Sequence, residues 1–165
     1  MDSISNNINT LSQKVGKKKI NKLLEYLVKF SKDGDLDYVI EVIEFSDRQT
    51  ATKNNISLML QVMLLSVKKN LLVSLKMIEE DRGDMVTMAK KIIIYILTND
   101  YLIPPPMITN LFGIHPSLVS RYKLLMMELN ENVKTDKVLL DYIELVRTDI
   151  NEFIILKQKQ DGKTN

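Results

Sequence analysis

Apolar residues recur along this chain at intervals of three and four, the period at which one face of an α-helix repeats. Ile20, Leu23, Leu24, Leu27 and Val28 set out one such face, and the polar run SKDGD ends it. Leu36, Val39, Ile40 and Ile43 set out a second after Asp35, a residue suited to cap a helix, so a helical hairpin is predicted. Beyond the polar link DRQTATKNN, residues 56–81 are apolar on nearly every side and then narrow to a stripe of Leu71, Leu75 and Ile78. That pattern predicts a central buried helix with room for a break near Asn70. Gly83 is expected to stop it and Asp84 to cap the next helix, where Met85, Met88, Ala89, Ile92, Ile93 and Ile96 share a face and Lys90 and Lys91 lie off it.

The segment YLIPPP cannot continue a helix, because proline lacks an amide hydrogen and biases the residue before it away from helical backbone. A short helix over 105–112 and a second from 116 to about 129 are predicted beyond it. Over 134–159 a long amphipathic helix places Leu139, Ile143, Val146, Ile150 and Phe153 at alternating steps of four and three. This is a heptad seam, and pairing between protomers is the expectation it raises. The organisation read from the pattern is a polar, loose arm at 1–16, an N-terminal helical region at 17–82, a compact helical unit at 83–130 and the C-terminal helix. The fold class is all-α, a multi-helix bundle.

Composition sharpens the picture where it excludes chemistry. Only five glycines and four prolines occur in 165 residues, which favours long helices over a turn-rich sheet protein. Apolar residues at 45% and charged residues at 27% match ordinary globular chains. With no cysteine there is no disulfide, no thiolate metal site and no thiol nucleophile. No secretory leader pattern stands at the start, so the cytoplasm is the compartment expected. The greasiest runs, ISLMLQVMLLSV and MAKKIIIYIL, fall short of a bilayer span, and no membrane partner is expected. A net charge of +2 is too small to demand a nucleic-acid partner. Its distribution is uneven, with Lys14, Lys17, Lys18, Lys19 and Lys22 crowded ahead of an acidic stretch from Asp33 to Asp47.

One stretch carries more than packing. In LFGIHPSLVSRY, Gly113 suits a sharp turn that needs positive φ. Pro116 suits the first position of a new helix and His115 its cap. Ile108, Phe112, Ile114 and Val119 fall where two helices crossing at that turn must bury side chains, with Tyr122 one turn on. On its glycine, flanking apolar residues, proline, serines, valine and arginine, PPPMITNLFGIHPSLVSRY resembles the bacterial and phage helix-turn-helix DNA-binding family. With MAKKIIIYIL before the FG turn, it is also similar to the DNA-binding end of replication initiators. The resemblance covers about residues 85–129 and implies a trihelical unit whose last helix enters the major groove. It implies that His115, Ser117, Ser120 and Arg121 face DNA, that Leu118 reaches a thymine methyl, and that Lys123, Lys91 and Lys90 contact phosphate. It further implies double-stranded DNA as partner, a homo-oligomer to supply enough affinity, and regulation of transcription as the role.

Other signals point to plain structure. Asp33, Asp35, Asp37 and Glu44 approach calcium-loop spacing, yet Tyr38 stands where the loop needs glycine. The acids Glu79, Glu80, Asp81 and Asp84 read as a solvated helix end, and the nine methionines as core filler. His115 has no second histidine or cysteine to form a metal site with. No phosphate-cradling loop or nucleophile motif occurs, so neither an enzyme nor a cofactor is expected. Two alternatives stay open: a DNA-recognition subunit similar to the small terminases of phages, and a helical interaction or scaffold protein that binds a protein partner and no DNA.

Overall fold

The computed structural model describes residues 36–49 and 54–161. The expected arm, the helix face from Ile20 to Val28 and the lysine cluster lie outside the described residues. Within them every regular element is an α-helix, seven in all: α1 Leu36–Gln49, α2 Asn54–Leu71, α3 Leu75–Glu80, α4 Asp84–Asn99, α5 Pro105–Phe112, α6 Pro116–Met127 and α7 Lys134–Asp161. The all-α bundle expected from the periodicity is what forms, closed by the long helix α7.

Two helices make the centre. In α2, Leu60, Val62, Met63, Leu64 and Val67 are wholly buried, so side chains on every side of it meet protein. α1 covers one flank with Val39, Ile40, Val42 and Ile43, and α7 covers another. Across the α1–α2 contact the buried Gln61 Nε2 donates to Ser46 Oγ at 2.8 Å, while its Oε1 is buried with no hydrogen-bond partner. α2 ends at Leu71, one residue beyond the break expected near Asn70. Leu72 then takes a left-handed φ of 59°, and Ser74 Oγ caps the short α3 by accepting from the Met77 amide. Tyr38 Oη accepts from the Leu75 amide at 3.0 Å and ties α1 to the start of α3.

α4 departs from its expected single face. Val86, Ile94 and Leu97 are buried along with Ala89, Ile92, Ile93 and Ile96, because α2, α6 and α7 all pack against it. Met85, placed on the core face by its spacing, is instead exposed at the first turn. The helix boundary differs as well. Asp81, not Gly83, takes the left-handed position that closes α3, at φ 52°. Gly83 is the N-cap of α4 at φ 99°, a backbone geometry that side chains rarely tolerate, and Asp84 is its first helical residue.

The heptad seam of α7 is used inside the chain. Ile143, Val146, Ile150 and Phe153 are each at most 2% exposed and belong to the one hydrophobic core, with Leu139 packed at its edge. α7 lies against α2 and α4, so the oligomerisation surface expected from these five residues is corrected to an internal one. A heptad stripe specifies a partner helix but not which molecule supplies it. Polar clasps fix the register. Buried Asp149 accepts from Ser66 Oγ at 2.6 Å, Lys69 Nζ at 2.7 Å and Asn70 Nδ2 at 2.9 Å, all on the last turns of α2. Arg147 donates two hydrogen bonds to Asp100, just past α4, at 2.8 and 2.9 Å. Among the described residues, no helix is long and apolar enough to cross a membrane.

Candidate nucleic-acid interface

The surface formed by α5, its turn and α6 follows from local chemistry. Pro104 is extended, with ψ 140°, and Pro105 and Pro106 open α5, whose Met107 amide donates to the Pro104 carbonyl at 3.0 Å. Two prolines leave few amide donors at this helix start. Gly113 ends α5 in the left-handed region, φ 61° and ψ 28°. A Cβ there would meet nothing within 4 Å, so backbone conformation and not space selects glycine.

His115 caps α6 as expected. Its backbone is extended, its Nδ1 accepts from the Ser117 amide at 3.3 Å, and the same nitrogen lies 2.7 Å from Ser117 Oγ. The His115 carbonyl accepts from the Leu118 amide at 2.9 Å. With Pro116 carrying no amide hydrogen, the first turn of α6 keeps its donors for itself. Recognition of anything polar on this surface therefore falls to side chains.

Packing divides α6 into an inner and an outer half. Val119 and Met126 are buried, and Phe112, Ile114 and Tyr122 are half-buried where α6 crosses α5 and α4. His115, Ser117, Ser120 and Arg121 are exposed, while Leu118 and Lys123 are half-buried beside them. The four residues expected to face outward thus share one open face. Arg121 makes no ion pair among the described residues.

The two lysines of α4 part company. Lys91 sits beside α6 with its Nζ 5.6 Å from the centroid of the Tyr122 ring, a cation held near the open face by the ring's electron density. Lys90 was expected off the packed face, and here the expectation is corrected. It is 5% exposed, and its Nζ lies 2.6 Å from the Asp81 carboxylate. The reason is that it shares the packed side of α4 with Val86, Ile93, Ile94 and Leu97, which are all buried. There its ammonium meets the acid that closes α3.

Sequence reasoning missed one component. The methionines read as core filler, yet Met127 is 58% exposed, as are its neighbours Leu124 at 60% and Leu125 at 41%, with only Met126 taken inside. The signal available was the weak apolar periodicity of α6: beyond Val119 and Met126 no second buried row exists. Among the described residues, no group of three or more acidic or histidine side chains is placed to hold a metal ion. No family model, curated protein or solved structure matches the chain.

Proposed function

We propose that the protein binds double-stranded DNA without catalysis, inserting α6 into the major groove, and that it acts as a transcription regulator of bacterial, phage or mobile-element origin. What supports this reading is the joint placement of a left-handed glycine turn, a self-capped helix crossing two others, and Ser117, Ser120 and Arg121 on its open side. Arg121 is the base reader in this arrangement, since a guanidinium can donate two parallel hydrogen bonds to guanine. Ser117 and Ser120 donate to neighbouring base or phosphate oxygens, and half-buried Leu118 offers a methyl contact to thymine. Lys91 and Lys123 supply the phosphate charge.

This charge is sparse. Two phosphate contacts give a salt dependence of about −2 in log affinity per log salt for each protomer, far shallower than that of strongly basic binders. Tight binding then needs two copies on neighbouring sites of one duplex, each with α6 free to enter the groove.

Selection of bound sequences from a random duplex pool tests the proposal. An enriched motif is the expected result. Against it, Arg121→Ala should lose about 1–3 kcal/mol and relax preference at one base position, while Lys91→Ala should weaken all sequences alike. Lys90→Met, which touches only the Asp81 contact, should leave the motif unchanged. Failure to enrich any motif, or equal affinity of wild type and Arg121→Ala for the selected site, would overturn the assignment.

A further inference from the structure

The outer face of α6 is chemically split. Its first half is polar, but one turn later Leu124, Leu125 and Met127 stand in solvent together. Leu124 and Leu125 lie side by side on the outer face, and Met127 projects to the flank beyond Leu124. The patch is bracketed by charge. Arg121 and Glu128 lie seven residues apart, two helical turns or roughly 10 Å, and so share the side of the helix that carries Leu124 and Leu125. Both are exposed, and neither makes an ion pair among the described residues.

Such a face is complementary to itself. We propose that α6 pairs with α6 of a second copy of this chain, antiparallel about a two-fold axis passing between Leu124 and Leu125. In that register Arg121 meets Glu128 of the second copy at each end, and Leu124 and Leu125 each meet their own counterpart at the centre. A parallel pairing would set arginine beside arginine and glutamate beside glutamate, so charge alone selects the antiparallel form. The two-fold arrangement closes on itself and yields a dimer instead of a chain of copies.

A single helix face is small beside the ~800 Å² per partner of a standard stable interface, so the dimer is weak and concentration-dependent. Pairing covers Arg121 and the open side of α6. Resting on the DNA reading given above, the consequence is mutual exclusion: the paired form is masked, and duplex binding draws on the unpaired form.

Sedimentation equilibrium of the full chain over a wide concentration range is the test. Arg121→Glu and Glu128→Arg each place like charges at both contacts and should weaken association about tenfold or more. Combined, the two substitutions exchange the partners and should restore association to within about threefold of wild type. Both sites are exposed, and unchanged helix content by circular dichroism confirms folding in each variant. A wild type that stays monomeric throughout, a dimer indifferent to the single variants, or a combined variant that fails to recover would each overturn the pairing. Glu128→Arg also separates the two proposals, because it should bind a selected duplex at least as tightly as wild type. Charge-swap behaviour without duplex binding leaves the dimer standing and the DNA reading fallen, and duplex binding without self-association does the reverse.

Discussion

α6 and α7 carry apolar side chains at helical spacing, and the bundle treats them in opposite ways. On α7 the apolar stripe is taken inside, with Val146 and Phe153 wholly buried, and Asp149 is the acid taken in with it, held by partners on α2. On α6 only Val119 and Met126 go in, while three apolar residues of the next turn stay in water. The difference lies in neighbours and not in composition. α7 spans two helices, α2 and α4, with clasps from Asp149 and Arg147 to hold it, whereas α6 rides on α4 and the two-turn α5 at the edge of the bundle. A stripe that has a groove to fill becomes core, and one without becomes surface.

Truncation should expose that contrast most strongly. Phe153→Ala removes a side chain with no solvent contact and should cost about 3–5 kcal/mol in urea unfolding, transfer and cavity terms together. Leu125→Ala, at a site 41% exposed, should change stability by no more than about 0.5 kcal/mol. Equal losses at the two positions would mean that α6 is as deeply packed as α7, and the comparison would collapse.

Much of the bundle was legible before any coordinates. Helix periodicity and the proline run place the ends of α5 and the start of α6, since prolines, glycine and a capping residue act locally. Gly113 and His115 occupy their expected roles for the same reason. What the pattern could not carry was the partner of each face. Lys90 and Lys91 are adjacent and identical in type, and only the third dimension sends one to Asp81 and the other to Tyr122. The α7 seam was misassigned to a second protomer on the same ground. The exposed Met127 was read as core filler with the other methionines because hydrophobicity predicts burial one way only, and surfaces keep many apolar atoms.

The turn between α5 and α6 gives an intermediate effect. Gly113→Ala places a Cβ on a backbone with φ 61° and no neighbour to strike, so its cost is conformational alone, about 1–2 kcal/mol. Gly113→Asn should recover part of that loss, since asparagine visits the left-handed region more readily. Thermal unfolding of the three proteins measures both steps. Identical melting for glycine and alanine would show that residue 113 does not hold the left-handed turn on which the placement of α6 depends.

The smallest effect belongs to the Arg147–Asp100 clasp, and pH resolves it. Partial burial works to raise the Asp100 carboxyl. Hydrogen bonds from Arg147 and Asn99 and the Arg147 charge outweigh it, holding the group below its ordinary value of 3.8. The folded state therefore keeps Asp100 ionised to lower pH than the unfolded chain does. Its contribution is complete above about pH 4 and drains away as pH falls through the lowered value. Because both side chains remain partly exposed, the pair is worth about 1 kcal/mol or less. Arg147→Met should accordingly melt below wild type at neutral pH, with the gap closing on acidification past pH 4. A gap that persists unchanged into strong acid would show that Arg147 supports α7 through its stacking on Tyr95, 5.8 Å from the ring centroid, and not through the carboxylate. In that case α7 would be held on α4 by packing alone, and its contrast with α6 would rest entirely on the groove it fills.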